Sequence, residues 1–261
     1  TPLYSSAASD VYKRQVSSAT ILEHSFGAHF NPVSPLIMIE NGGDYADELI
    51  TVRIPVNVPD DHFAMAFYYD ADTGTLEGIP STTHDADSIT IVTRHFSKLL
   101  VSVIRNSVLD DLVKDGIDSG FRPGGDDWQF TNYGSYIAPG GHCAGQSVSA
   151  MWYYCEKPDG PDSFLWGLYD NNGNEPSTPA LWEDDSRGYR LASTVQNDIH
   201  WGKFEVDFQR AIRGVDDEAH FKAFAYSMLL TGEPQYAGIS SSAGGGHAMI
   251  CLLYTSPSPR D

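Results

Sequence analysis

The sequence predicts an α+β chain in two parts: a small antiparallel β-sandwich, then a domain of helices followed by late strands. Three observations carry this. Between residues 30 and 105, short runs rich in β-branched and aromatic residues alternate with turn signals. Between 143 and 230, apolar residues recur at helical spacing. After Thr231-Gly232-Glu233-Pro234 stops the last helix, two short runs regain strand character. Helices first and strands later read as α+β rather than as repeated βαβ units.

The elements follow in order. Leu49 to Val56 is the first predicted strand, closed by Pro59-Asp60-Asp61. Phe63 to Tyr69 is the second, followed by an Asp-Ala-Asp-Thr-Gly turn at 70–74. Thr75 to Pro80 is short and extended, Ser88 to Thr93 alternates again, and Leu99 to Ile104 completes the set. An acidic connector then runs to about 130. It holds a helical turn at Leu109 to Val113 and the breaker Pro123-Gly124-Gly125. The domain boundary is placed near 110. Cys143 to Cys155 predicts a helix with Val148, Met151, Trp152 and Cys155 on its apolar face. Gly167 to Asn174 reads as a loop. Phe204 to Ile212 and Asp216 to Leu230 read as helices, the second burying Phe221, Phe224, Ala225 and Met228. Gln235 to Ile239 and His247 to Ile250 are the late strands.

The two ends are expected to have another origin. Residues 5–15 translate codon by codon from a transposon adaptor used in sequencing libraries, 251–261 translate from the opposite adaptor, and 1–4 fit an index sequence in frame. The expectation is that 1–15 is adaptor-derived and not structural, and that 251–261 is adaptor-derived. The segment between divides into a β-sandwich module at 16–110 and a second domain at 111–250. Cys251 then belongs to the tail, leaving Cys143 and Cys155.

Composition excludes several classes of partner. A net charge of −19 argues against nucleic acid and anionic membrane, both of which need a positive patch. No apolar run approaches the ~18 residues needed to cross a bilayer. The acidic residues read as a solvated face. Two cysteines are too few for a disulfide framework. If both lie on one helix they are about 18 Å apart, too far to bridge. No metal or cofactor is expected. Asp170-Asn171-Asn172-Gly173-Asn174-Glu175 lacks the spaced ligands of a calcium loop. His142, Cys143, Cys155 and His247 do not match zinc spacing.

The chemistry lies in two motifs far apart in the chain. Gly-Gly-His-Cys-Ala-Gly-Gln-Ser at 140–147 puts a cysteine after a glycine turn at the start of a helix. There the unpaired N–H groups and the helix dipole favour a negative sulfur, the attacking species. Gly140, Gly141 and Gly145 are expected to let the backbone bend and a substrate carbonyl approach, and the Cys143 N–H to serve as an oxyanion donor. Gly-Gly-Gly-His-Ala-Met-Ile at 244–250 puts a histidine at a strand entrance, the kind of partner a thiol needs to become a nucleophile at neutral pH. His142 reads as a neighbour rather than a catalyst, Cys155 as core, and Trp152, Tyr153 and Tyr154 as packing. Asn132, in Phe-Thr-Asn-Tyr-Gly-Ser, is open to two readings: a side-chain oxyanion donor or a turn former.

Taken together, a Cys then a His, with helices between and strands at the end, resembles the papain-like cysteine peptidase superfamily, more closely its bacterial members. The resemblance covers about 128–250. It implies a papain-like fold with Cys143 as nucleophile, His247 as base and a thioester acyl-enzyme. The chain departs from papain itself: Ile137 stands where a glutamine six residues before the cysteine is usual, and no tryptophan follows the cysteine. The Asn or Asp that orients the histidine in such enzymes would follow His247, where the adaptor begins, so it is expected to be missing. The first half, with Tyr-Tyr-Asp-x-x-Thr-Gly-x-Leu-Glu-x-Ile-Pro and Ile-Thr-Ile-x-Thr-x-His-Phe-Ser, resembles β-sandwich modules of bacterial surface and secreted proteins. The functional expectation is a secreted or surface cysteine peptidase acting on protein or peptide. An amidase or transglutaminase-like acyl transferase is one alternative, and a non-catalytic surface binding protein with a degenerate peptidase domain is the other.

Overall fold

The computed structural model describes residues 15–40, 45–95, 97–169, 187–199, 204, 206–240 and 245–255. The chain is mixed α+β. In order, its elements are β1 (Gln15–Ala19), β2 (Leu36–Glu40), β3 (Tyr45–Pro55), β4 (His62–Asp70), β5 (Thr75–Ile79), β6 (Ser81–Asp85), β7 (Ser88–His95), β8 (Lys98–Arg105), α1 (Asn106–Asp115), β9 (Ile117–Asp118), α2 (Cys143–Glu156), α3 (Arg187–Asp198), α4 (Val206–Ile212), α5 (Asp217–Thr231), β10 (Gln235–Ser240), β11 (Gly246–Cys251) and β12 (Leu253–Tyr254). Two compact units emerge: 1–110 with 204–226, and 111–203 with 227–261. The chain thus divides after Asp110, and the segment 204–226, assigned from the sequence to the second domain, belongs with the first unit.

In the first unit two antiparallel sheets, β1-β2-β8-β4-β5 and β3-β7-β6, share one core. Ile54, Ile89 and Ile91 from the smaller sheet meet Ala64, Ala66, Ile79, Leu99, Val101 and Val103 from the larger. Alternation along β3 and β7 delivers these side chains to one face, which is why the strands were legible. The β4–β8 pairing runs from His62↔Arg105 to Tyr69↔Lys98 in unbroken register. Strands β1, β2 and β6 are short and were not predicted. Gln15, expected to have no structural place, opens β1 opposite Glu40; residues 1–14 lie outside the described residues.

Tyr226 is the polar anchor of α5 in this unit. Its hydroxyl lies 2.8 Å from Ser102 Oγ and donates to the His29 carbonyl at 3.0 Å, while its ring meets Phe63 and Phe67 edge-on. Burial holds its phenol proton firmly, raising it above the usual tyrosine range. Tyr226→Phe keeps the ring and removes both bonds. Ser102 Oγ still accepts the Asn31 N–H, so the expected cost is about 1 kcal/mol. The urea midpoint should fall with an unchanged slope; an unmoved midpoint would show that the hydroxyl contributes nothing.

In the second unit, α2 and α3 pack antiparallel: Gly145 meets Ala192 and Gln196, while Ser149 and Trp152 lie by Gly188 and Leu191. The Trp128 indole donates to Ser149 Oγ at 2.9 Å, and that hydroxyl donates to the Gly145 carbonyl at 2.6 Å. Phe121, Trp128, Ala150, Tyr153 and Leu165 form the core. Lys157 ends α2 in a left-handed conformation, φ +44°. Its ammonium reaches the buried Asp126 carboxylate at 3.1 Å. Strands β10 and β11 pair antiparallel, with Ile239↔His247 and Gly238↔Ala248 in register.

Two predicted faces are corrected here. Helix α2 buries Ala144, Gly145, Ser147, Ser149, Ala150 and Tyr153, whereas Val148, Trp152 and Cys155 are exposed. The reason is spacing: the helix packs too closely on α3 for large side chains, so its small face goes inward. Cys155 is therefore not core. In α5, Ala225 and Met228 are buried as expected, but Phe221 is exposed. The tail at 251–255, set aside as adaptor, takes part in two pairings: Cys251 ends β11, and Leu253–Tyr254 pair with β9, Tyr254 opposite Ile117. An open strand edge accepts any backbone, whatever its side chains.

Candidate active site

Cys143 is the first residue of α2, preceded by a turn that Gly141 makes possible at φ +110°. An α-helix begins with four N–H groups that find no partner inside it. Here they belong to His142, Cys143, Ala144 and Gly145, since Gln146 N–H already bonds to the His142 carbonyl at 2.8 Å. The usual solution, a Ser, Thr, Asp or Asn at the N-cap, is not used, because His142 caps with no side-chain bond. Instead Asn132 Oδ1 accepts the His142 N–H at 2.6 Å. Gln196 Oε1, arriving from α3, accepts both Ala144 and Gly145 N–H at 3.0 Å. One donor remains. The Cys143 N–H makes no hydrogen bond among the described residues.

The sulfur lies against β11. Cys143 Sγ accepts the Ala248 N–H at 3.4 Å, placing it at the edge of β11 that β10 does not pair with. Ala248 immediately follows His247, so the fold brings together the two motifs that lie 105 residues apart. His247 itself is exposed and Ala248 buried, as alternation along a strand requires. No hydrogen bond joins the His247 ring to the sulfur among the described residues.

Of the two readings of Asn132, the geometry bears on the turn former, since its side chain bonds to the backbone just before Cys143. Its Oδ1 must face the His142 N–H, so its Nδ2 group points the other way, and that amide makes no hydrogen bond among the described residues. Oδ1 and Nδ2 lie 3.1 and 3.6 Å from where a Cβ on Gly141 would sit. The side chain thus holds the turn before Cys143, with its amide hydrogens unbonded among the described residues.

His142, read as a neighbour, is fully buried. Its Nδ1 accepts the Gly134 N–H at 3.2 Å, and its ring lies 4.8 Å from Tyr189 and 5.7 Å from Phe130. Tyr189 in turn donates to the Gly134 carbonyl at 2.5 Å, and Gln146 Nε2 donates to the Phe130 carbonyl at 2.9 Å. These bonds fix the 130–142 segment onto the start of α2. Gly145 has a different role from the one expected. It does not clear space for a substrate carbonyl; it clears space for the backbone of α3, at Ala192.

Sequence reading missed Gln196, Tyr189 and the whole of α3. A signal was present: Gly188, Tyr189, Ala192 and Ser193 recur at helical spacing and form the buried face of α3, although three of the four are small. A cavity of about 190 Å³ lies farther along α2, lined by Trp128, Trp152, Tyr153, Tyr169, Arg187 and Leu191 among others. It does not reach Cys143. The Asp170–Glu175 stretch weighed as a calcium loop lies outside the described residues. Among the described residues no cluster of three His, Cys, Asp or Glu side chains is placed to hold a metal, and no helix is long and apolar enough to cross a membrane. Comparison with protein-family models, curated proteins and solved structures finds no match to this chain.

Proposed function

We propose that this protein is a cysteine hydrolase of papain-like type that cleaves peptide bonds through a thioester on Cys143. The observation that carries the reading is the contact of the Cys143 sulfur, at a helix start, with the amide of the residue following His247. In this reading His247 takes the thiol proton, the thiolate attacks the scissile carbonyl, and the carbonyl oxygen becomes an anion received by the vacant Cys143 N–H and by Asn132 Nδ2. The protonated histidine then donates to the leaving amine, and water, activated by the same ring, hydrolyses the thioester. The β-sandwich of the first unit is read as a module of a secreted or surface protein.

The test is alkylation. Iodoacetamide at neutral pH, with adducts mapped by mass spectrometry, compares Cys143 with Cys155 in one molecule. Cys155 is a built-in reference: burial of its sulfur, then the carboxylates of Glu233 and Glu156, push its thiol up to about 12, although the residue as a whole stays exposed. It is therefore almost wholly unreactive thiol at neutrality. Cys143 should label more than about tenfold faster. Equal rates at the two sites would remove the hydrolase reading. Peptide, cell-wall and amine-donor substrates then separate a peptidase from an amidase or a transglutaminase-like acyl transferase. The exposure of His247 and its lack of a bond to the sulfur favour one further reading, a surface binding protein whose peptidase site is silent. Slow labelling of Cys143 would support that one.

A further inference from the structure

We infer that Gln196 is a positioning residue of the Cys143 site: a neutral acceptor that engages the Ala144 and Gly145 amides and leaves the Cys143 amide as the vacant donor. The inference rests on the reading of Cys143 as nucleophile. Its basis is a complete accounting of the helix start. Of the four unsatisfied N–H groups there, three are taken by side-chain amide oxygens, one from Asn132 and two from Gln196. Both acceptors are uncharged. Capping a helix start with a carboxylate is the more stabilising choice, because an anion there meets the positive end of the dipole. At this helix start a carboxylate would also sit beside a sulfur and an acyl oxygen that must each carry negative charge. An amide oxygen satisfies the same donors without that opposition.

The acceptor also comes from a separate helix. The close crossing of α2 and α3 at Gly145 and Ala192 sets the distance over which the Gln196 side chain reaches, so the packing of the two helices and the disposition of donors at the nucleophile are one arrangement. With Ala144 and Gly145 engaged, an acyl oxygen arriving at the helix start has the Cys143 N–H as its backbone donor. With those amides released, three neighbouring donors compete for it, and two of them hold the carbonyl carbon away from the sulfur.

Two substitutions in the full chain test this, each read by thermal melting and by Cys143 alkylation with iodoacetamide at neutral pH. Gln196→Glu keeps an acceptor for both amides. If the neutrality of this cap is immaterial to the sulfur, this variant melts at or above the parent and alkylates at the parental rate. The expected result is parental or higher melting with alkylation slowed about tenfold, the effect of an added charge close to the thiolate. Gln196→Met has similar length and accepts neither N–H. There alkylation should stay within about twofold of the parent, while single-turnover acylation by a p-nitrophenyl ester falls about tenfold, because only the acyl transfer uses the oxyanion donor. Parental alkylation in the Glu variant, or parental acylation in the Met variant, overturns the assignment of Gln196 and leaves Cys143 as nucleophile intact. Failure of the parent chain to label Cys143 ahead of Cys155 overturns both.

Discussion

Gly145→Ala is expected to destabilise the second unit by about 3 kcal/mol or more, at the upper end of what overpacking a core costs. A Cβ at this position would lie 1.9 Å from the Ala192 carbonyl oxygen, 2.8 Å from the Gln196 nitrogen and 2.9 Å from the Ala192 carbonyl carbon. All three are backbone atoms of α3, so no side-chain rotation relieves the contact. Restoring ordinary van der Waals distance means moving α3 by about 1.5 Å or more, which also draws Gln196 off the Ala144 and Gly145 amides. A loss of this size is a large share of the ~5–15 kcal/mol that holds a typical domain together. Gly140→Ala is the control. Nothing lies within 4 Å of its Cβ and its φ is not positive, so the smaller entropy of the unfolded chain should leave that variant neutral or slightly stabilised. Circular-dichroism melting of the two variants checks the contrast. Equal midpoints would mean that α3 does not cross α2 where described.

The same contact explains what the sequence concealed. Strands of the first unit were legible from two patterns: Ile89 and Ile91 on β7 mark the core by alternation, whereas β8 is buried on both faces from Leu99 to Ile104 and reads as a nearly continuous apolar run. The site motifs were legible because Gly141 and Cys143 must lie at a turn and a helix start, whatever packs around them. What failed was the assumption that a helix buries its largest apolar residues. On α2 the buried face is mostly small, Ala144, Gly145, Ser147, Ser149 and Ala150 with Tyr153, and on α3 it is Gly188, Ala192 and Ser193 with Tyr189. Close helix crossings select small side chains, and small residues carry little hydropathy signal. Trp152 and Val148 consequently misidentified the inner face. Gln196 was illegible for a related reason. Its role depends on which helix lies across from Ala144, a tertiary fact that residue spacing does not encode. Asn132 was only half legible: its type suggested a hydrogen-bonding turn residue, but the vacancy of its Nδ2 follows from the direction of the His142 N–H.

Acylation by an activated ester is expected to stop in Cys143→Ala and to fall by several orders of magnitude in His247→Ala, the scale seen when a nucleophile or its base is removed. The informative variant is Asn132→Asp. A carboxylate keeps the acceptor that holds the His142 N–H, so the turn before Cys143 is preserved and the melting midpoint should not fall. It removes the two amide hydrogens, which are what an oxyanion would receive. If Nδ2 is a donor to the developing charge, acylation should slow by about 10²–10³ with little change in ester KM, since the interaction is made in the transition state. If Asn132 only shapes the turn, Asp serves as well as Asn and acylation stays near the parental rate. The added negative charge also bears on the thiolate, so the acylation rate is taken relative to the iodoacetamide rate of the same variant. Iodoacetamide needs the thiolate and no oxyanion donor, so it registers the charge alone. A fall in acylation that alkylation fully matches would assign the effect to charge and remove Asn132 from the oxyanion site. A fall well beyond it would place the Asn132 amide and the Cys143 N–H on one substrate oxygen.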